Sequence, residues 1–259
     1  MSNKTPLTVV KIGGNVIDDA AALDSFLKDF AAIEGAKILV HGGGKLATRT
    51  AESLGIEAVF HEGRRITDAP MLEVAVMTYA GCINKSITAN LQALGSNAMG
   101  FTGADGNLIR SEKRKNAAVD FGYVGDVVSV DAKLLELLTV LGIVPVFCAV
   151  THDGNGQLLN TNADTIASEL AVASSEYFDV KLLYCFEKKG VLLDVNDADS
   201  VIKSLTFWEF STLREQGAIH SGMLPKLENC FNALNKGVTQ IGIGSPAMIN
   251  GEAHTLITP

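Results

Sequence analysis

Lys11 stands near the end of an apolar stretch, Leu7–Ile12, and is followed by Gly13 and Gly14. Burying an ammonium is costly unless anionic partners surround it. Two glycines let the backbone turn sharply and approach a ligand closely. The segment fits an anion site, or a surface lysine beside an ordinary turn. His41-Gly42-Gly43-Gly44 lies between a strand pattern and a helix pattern. Three glycines leave backbone N–H groups uncovered at a helix N-terminus, which is a ready anion site. It is not a Walker A loop, because Lys45 is followed by Leu46 rather than Ser or Thr. Gly42, Gly44 and Ala47 also satisfy the G-x-G-x-x-G/A pattern of dinucleotide folds, with Glu62 about twenty residues on. That fingerprint usually occupies the first βα turn; here it follows the second strand.

Gly63-Arg64-Arg65-Ile66-Thr67-Asp68 precedes a long helical pattern. Arginine suits fork-like binding of a carboxylate and equally a surface ion pair. Asn160-Thr161-Asn162-Ala163-Asp164 leads into a helix. Asn and Asp are capping residues, and a carboxylate in a first helical turn stays ionised and can hold lysines in place. In Ser221-Gly222-Met223-Leu224-Pro225-Lys226, the proline puts Lys226 in the first turn of a helix. The dipole disfavours a lysine there; an anionic ligand or a solvated side chain would account for it. The stripe Leu224, Leu227, Phe231 and Leu234 is core.

The elements that must position these residues alternate between short β-branched runs and helical patterns. Strands are predicted at Leu7–Ile12, Ala36–Val40, Glu57–Phe60, Ala98–Thr102, Ile143–Val150, Val180–Phe186 and Thr239–Gly244. Helices are predicted at Ala20–Ile33, from the glycine triplet to about Leu54, and at Ala69–Leu94, Leu134–Leu141, Asn162–Ala173 and Ser221–Asn235. Asp105–Val130 reads as hairpins. The alternation predicts a mostly parallel sheet covered by helices on both faces, with ligands at the carboxyl ends of the strands. A soft boundary after about Val150 would separate two lobes, 1–150 and 151–259.

Hydrophobic residues make up 47% and charged residues 19% of the 259, with 25 glycines, which suits an α/β protein with buried strands. The net charge of −8 argues against a nucleic-acid partner. The basic run Arg110–Lys115 reads as a solvated hairpin face. Cys82, Cys148, Cys185 and Cys230 are scattered and read as buried free thiols of a reducing compartment. The five histidines are scattered too, and no metal site is proposed. No leader and no membrane-length apolar run is found, so a cytoplasmic protein is expected.

Taken in order, KIGG, HGGG, GRRIT, NTNAD and SGMLPK resemble the amino acid kinase superfamily over nearly the whole chain. Aspartokinases, carbamate kinases, UMP kinases and glutamate 5-kinases share parts of the set; GRRIT and NTNAD favour the acylglutamate branch. The resemblance implies a three-layer α/β/α sandwich. Its N-terminal lobe would bind an N-acyl-L-glutamate, by default the N-acetyl compound. Its C-terminal lobe would bind ATP, which comes with Mg²⁺. The reaction would phosphorylate the side-chain carboxylate, as a step of arginine biosynthesis. Lys11 and Lys226 would stabilise the transferring phosphoryl group, with Asp164 orienting both. Gly13, Gly14 and Gly43 would donate N–H groups to phosphate oxygens. Gly43 and Gly44 would border the substrate, Arg65 would clamp its α-carboxylate, and Asn160 would assist. Gly190, Ser221, Gly222 and Met223 would contact the nucleotide. Where relatives carry a Thr- or Ser-Asp pair, this chain has Tyr184-Cys185-Phe186-Glu187-Lys188-Lys189-Gly190, so adenine and ribose contacts should differ. A homodimer joined through the Ala69–Leu94 helix and insensitive to arginine is expected, since the first strand leaves no room for the N-terminal helix of arginine-inhibited members. Three other readings stay open: a different acyl group such as succinyl, a non-catalytic nucleotide-binding relative, and a nicotinamide-dependent oxidoreductase built on the glycine fingerprint.

Overall fold

Val9 and Val10 are neighbours on a strand, so their side chains point to opposite faces, and both are fully buried. Each face of that strand is therefore covered, as in a parallel sheet between helical layers. The protein is described by a computed structural model covering residues 4–115, 118–194, 196–217, 219 and 223–259. Its strands are β1 (Thr5–Ile12), β2 (Ala36–His41), β3 (Phe60–His61), β4 (Arg64–Arg65), β5 (Ala98–Phe101), β6 (Ile109–Lys113), β7 (Val124–Val130), β8 (Val144–Phe147), β9 (Val150–His152), β10 (Leu158–Thr161), β11 (Phe178–Cys185), β12 (Ser204–Thr206), β13 (Gln240–Gly244) and β14 (Thr255–Thr258). Its α-helices are α1 (Gly14–Asp18), α2 (Ala20–Ala32), α3 (Gly44–Ser53), α4 (Ala69–Ala75), α5 (Asn84–Ala93), α6 (Ala132–Val140), α7 (Ala163–Ser174), α8 (Phe207–Glu215) and α9 (Leu224–Asn235).

The main sheet has eight strands in the order β12-β14-β13-β11-β1-β2-β8-β5. The six from β13 to β5 are mutually parallel, and β14 is antiparallel to β13. α2 packs with α5, and α7 packs with α6 and α9. The fold is therefore α/β, with helices around a mostly parallel sheet. Register brings the strand ends level: Ile12 pairs with His41 and with Cys185, and Cys185 pairs with Gly244. Both glycine turns therefore leave the sheet side by side.

The predicted hairpin in 105–130 forms as β6 and β7, which with β9 and β10 make a small closed sheet beside the main one. The predicted strand over 143–150 is broken into β8 and β9, because Val150 pairs with β10 in the smaller sheet. The long helix is continuous from Ala69 to Ala93, but Val76–Ile83 within it is π-helical. α1, α8, β4, β10, β12 and β14 were not predicted. Cys148, Cys185 and Cys230 are buried free thiols, whereas Cys82 is exposed on the π-helical segment, contrary to expectation.

Candidate active site

Asp164 lies in the first turn of α7, whose N-cap Asn162 accepts from the Asp164 and Thr165 N–H groups. α7 packs along β1 and against α9. That packing brings the Asp164 carboxylate between two lysines distant in sequence. Oδ1 lies 2.7 Å from Lys11 Nζ, and Oδ2 lies 3.4 Å from Lys226 Nζ. Burial alone would raise the Asp164 carboxyl, but the Lys11 and Lys226 charges outweigh it and hold it below the usual carboxylate value. The Tyr184 hydroxyl donates to the Asp164 carbonyl at 3.1 Å, which fixes the turn beneath. Lys226 also has its ammonium 5.7 Å from the centre of the Phe186 ring, within cation–π range.

The two glycine turns are built differently. The Gly13 N–H donates to the Cys185 carbonyl at 3.2 Å. Gly14 begins α1, whose N-terminus has no side-chain cap, so the open donors of this turn start at Gly14. At Gly43, a Cβ would sit 2.3 Å from Ile83 Cδ1 and 2.9 Å from the Tyr79 ring. The π-helical segment therefore closes over Gly43, and only glycine fits beneath it. His41, just before the turn, is buried and neutral. Burial lowers its pKa to about 4, against a raising hydrogen bond to Gly42. Nδ1–H donates to the Gly42 carbonyl at 2.8 Å, and Nε2 accepts from Asn84 Nδ2 at 3.1 Å.

Arg65 sits in a tight hairpin. Glu62 and Gly63, between β3 and β4, both have positive φ, as a two-residue primed turn requires. The hairpin pairs Arg65 with Phe60 and lays the guanidinium 4.6 Å from that ring's centre. Nη2 donates to the Gly44 carbonyl at 2.9 Å and to Thr48 Oγ1 at 2.8 Å. Asn160 donates to Thr67 Oγ1 at 3.0 Å.

These groups border two adjoining cavities. The larger, about 1020 Å³, is lined by Gly43, Gly44, Arg65, Asn160, Asp164 and Lys226 among others. The smaller, about 480 Å³, is lined by Lys11, Gly13, Gly14, Lys45, Phe186 and Lys226 among others. Gly44, Phe60, Arg65 and Lys226 line both. One space has a guanidinium and an amide to hold a carboxylate. The other has several ammonium groups and a helix start to hold phosphates.

Gly190 is not brought to either cavity. A Cβ there would sit 2.6 Å from Thr255 Oγ1 and 2.7 Å from Val201 Cγ1, so close packing explains this glycine. Met223 is half-buried and packs on the core. Ser221 and Gly222 lie outside the described residues. Residues that sequence reasoning passed over include Phe60, Tyr79 and Arg114, all of which line the larger cavity. Arg114 belongs to the basic run expected to be solvated. Instead it pairs with Asp126 through Nε at 3.1 Å and Nη2 at 2.5 Å, and it stacks near Phe121. Among the described residues, no helix is long and apolar enough to cross a membrane.

The family described as the amino acid kinase family matches residues 6–245. An acetylglutamate kinase from Phocaeicola vulgatus is 54% identical, over 98% of this chain and 99% of its own. One from Bacteroides thetaiotaomicron is 55% identical, over 97% of this chain and 98% of its own. Among solved structures, carbamate kinase from Giardia lamblia bound to AMP-PNP shares the fold with a TM-score of 0.69 at 14% identity, covering 99% of each chain.

Proposed function

The chain belongs to the amino acid kinase family, and we propose that it transfers the γ-phosphoryl group of ATP to the side-chain carboxylate of N-acetyl-L-glutamate. The observation that carries the mechanism is Asp164 bridging Lys11 and Lys226 where the two cavities meet. The substrate carboxylate is already ionised at neutral pH, so no general base is needed. Its oxygen attacks the γ-phosphorus as the bond to the β-phosphate oxygen breaks. An acyl phosphate forms and ADP leaves. Positioning and charge stabilisation must supply the rate.

In this reading Lys11 and Lys226 face the transferring group from either side, and Asp164 keeps them apart and aimed. Gly14 and Gly43 offer N–H groups to phosphate oxygens. The Gly13 N–H is held by Cys185, so Gly13 serves as the turn itself. Arg65 takes the substrate α-carboxylate with N–H groups beyond those bound to Gly44 and Thr48, and Asn160 assists. Residues 1–150 supply the acylated amino acid side and residues 151–259 the nucleotide side, including Met223 with Ser221 and Gly222. Mg²⁺ enters with ATP, bound by phosphate oxygens and water. The product serves arginine biosynthesis. The helix Ala69–Ala93 joins a homodimer, with Met77 and Cys82 exposed on it.

A coupled ADP-release assay tests the reading with N-acetylglutamate, N-succinylglutamate, glutamate and aspartate. Turnover should be best with N-acetylglutamate. Absence of turnover with it overturns the assignment. Light scattering should give twice the monomer mass; a single-chain mass removes the dimer.

A further inference from the structure

Lys45 is the second residue of α3, a helix with no side-chain N-cap and no acidic residue in its first turn. A cation at that position is disfavoured by the helix dipole. Three exposed lysines elsewhere pair with carboxylates: Lys28 with Asp24, Lys133 with Glu136 and Lys189 with Asp199. Among the described residues Lys45 has no such pair. Its ammonium donates to the Asn15 side-chain oxygen, a neutral partner that fixes its position and leaves its charge uncompensated. Asn15 lies in α1, directly after Gly14. The lysine therefore straps together the starts of α1 and α3, where Gly14 and Gly44 line the smaller cavity. Lys45 and Asn15 both line that cavity, as do Lys11 and Lys226. Among the described residues, Glu187 is the one carboxylate side chain in its lining.

We infer that Lys45 is a further nucleotide-binding residue: a third ammonium that contacts the phosphate chain of ATP, positioned by Asn15. This rests on the kinase reading above. Lys11 and Lys226 are both committed to Asp164. Among the described residues Lys45 has no carboxylate partner, so its charge is left for the ligand. An anion at the start of α3 reverses the sign of the local cost, because phosphate is favoured where the lysine by itself is not. Lys45 acts on binding of the nucleotide rather than on the acylated amino acid, whose proposed clamp at Arg65 lies on the hairpin.

The test compares the wild-type enzyme with Lys45→Met, Lys45→Arg and Asn15→Ala. Two quantities are read: the Kd of Mg·AMP-PNP by calorimetry, and KM values for ATP and for N-acetylglutamate. Lys45→Met should weaken AMP-PNP binding and raise the KM for ATP about 10-fold, the scale of one charge-assisted contact. The KM for N-acetylglutamate and the melting temperature should not move. Lys45→Arg should restore most of the affinity, and Asn15→Ala should cost less than Lys45→Met. An unchanged Kd in Lys45→Met overturns the inference, as does an equal rise in the KM for N-acetylglutamate. If the wild-type chain binds AMP-PNP in a Lys45-dependent way but does not turn over N-acetylglutamate, the substrate assignment falls and the role of Lys45 stands.

Discussion

Asn84 donates its side-chain N–H to Nε2 of His41 at 3.1 Å, deep under the second glycine turn. The contact fixes the tautomer, because Nε2 must accept while Nδ1–H donates to Gly42. The folded protein thus keeps a histidine neutral where water would protonate it. Its pKa falls from 6.5 to about 4, whereas the unfolded chain takes up the proton near 6.5. Stability is therefore full above pH 6.5 and is lost as pH falls toward 4, by at most about 3 kcal/mol. Urea denaturation of wild type and His41→Gln at pH 7 and pH 4.5 reads the difference. The variant should lose less stability between the two pH values; equal losses would rule out His41 as the source.

Asp164 and Lys226 should behave as one unit. Lys226→Ala is expected to lower kcat about 10²-fold or more. Asp164→Asn should do nearly the same by releasing both lysines. The double variant should be far less impaired than the product of the single effects. Fully multiplicative losses in steady-state kinetics would separate the two residues.

Arg65→Ala should mainly raise the KM for N-acetylglutamate, by roughly 10-fold or more, with kcat less affected. Arg65→Lys should recover little, since an ammonium cannot hold Gly44, Thr48 and a carboxylate as a planar fork does. An unchanged KM would remove Arg65 from the pocket.

Gly43→Ala forces a methyl against Ile83 and the Tyr79 ring. A loss of roughly 1–3 kcal/mol is expected, the usual scale of overpacking. Ile83→Val in the same chain removes the nearer atom and should return part of it. Thermal melts of the four chains check this; a double variant no more stable than Gly43→Ala would place the clash elsewhere.

The alternating strands and helices were legible because both sheet faces are buried, so strands read as plain apolar runs. The Lys11–Asp164–Lys226 grouping was legible only through the order of motifs, since nothing local to Lys11 names a partner so far along the chain. α8 had a local signal that went unread: Thr206 and Glu209 form a capping box. Gly190 was assigned to the nucleotide by resemblance, yet its neighbours Thr255 and Val201 come from later elements, and sequence does not show that packing. Arg114 was misread because a basic run looks the same whether all of it meets water or, as here, one member lies half-buried at the cavity edge and pairs with Asp126.

The π-helical segment Val76–Ile83 works as a phase adjuster in the long helix. Its hydrogen bonds span one residue more than those of an α-helix, so the rotational setting of everything after it differs from that of an uninterrupted α-helix. Tyr79 and Ile83 thereby reach the glycine turn while the very next residue, Asn84, still meets His41 and the Val146 carbonyl. Deleting one residue within the segment would let it relax to regular helix, and these contacts could no longer all be made at once. The length of the stretch, more than its composition, is what ties the turn to the sheet.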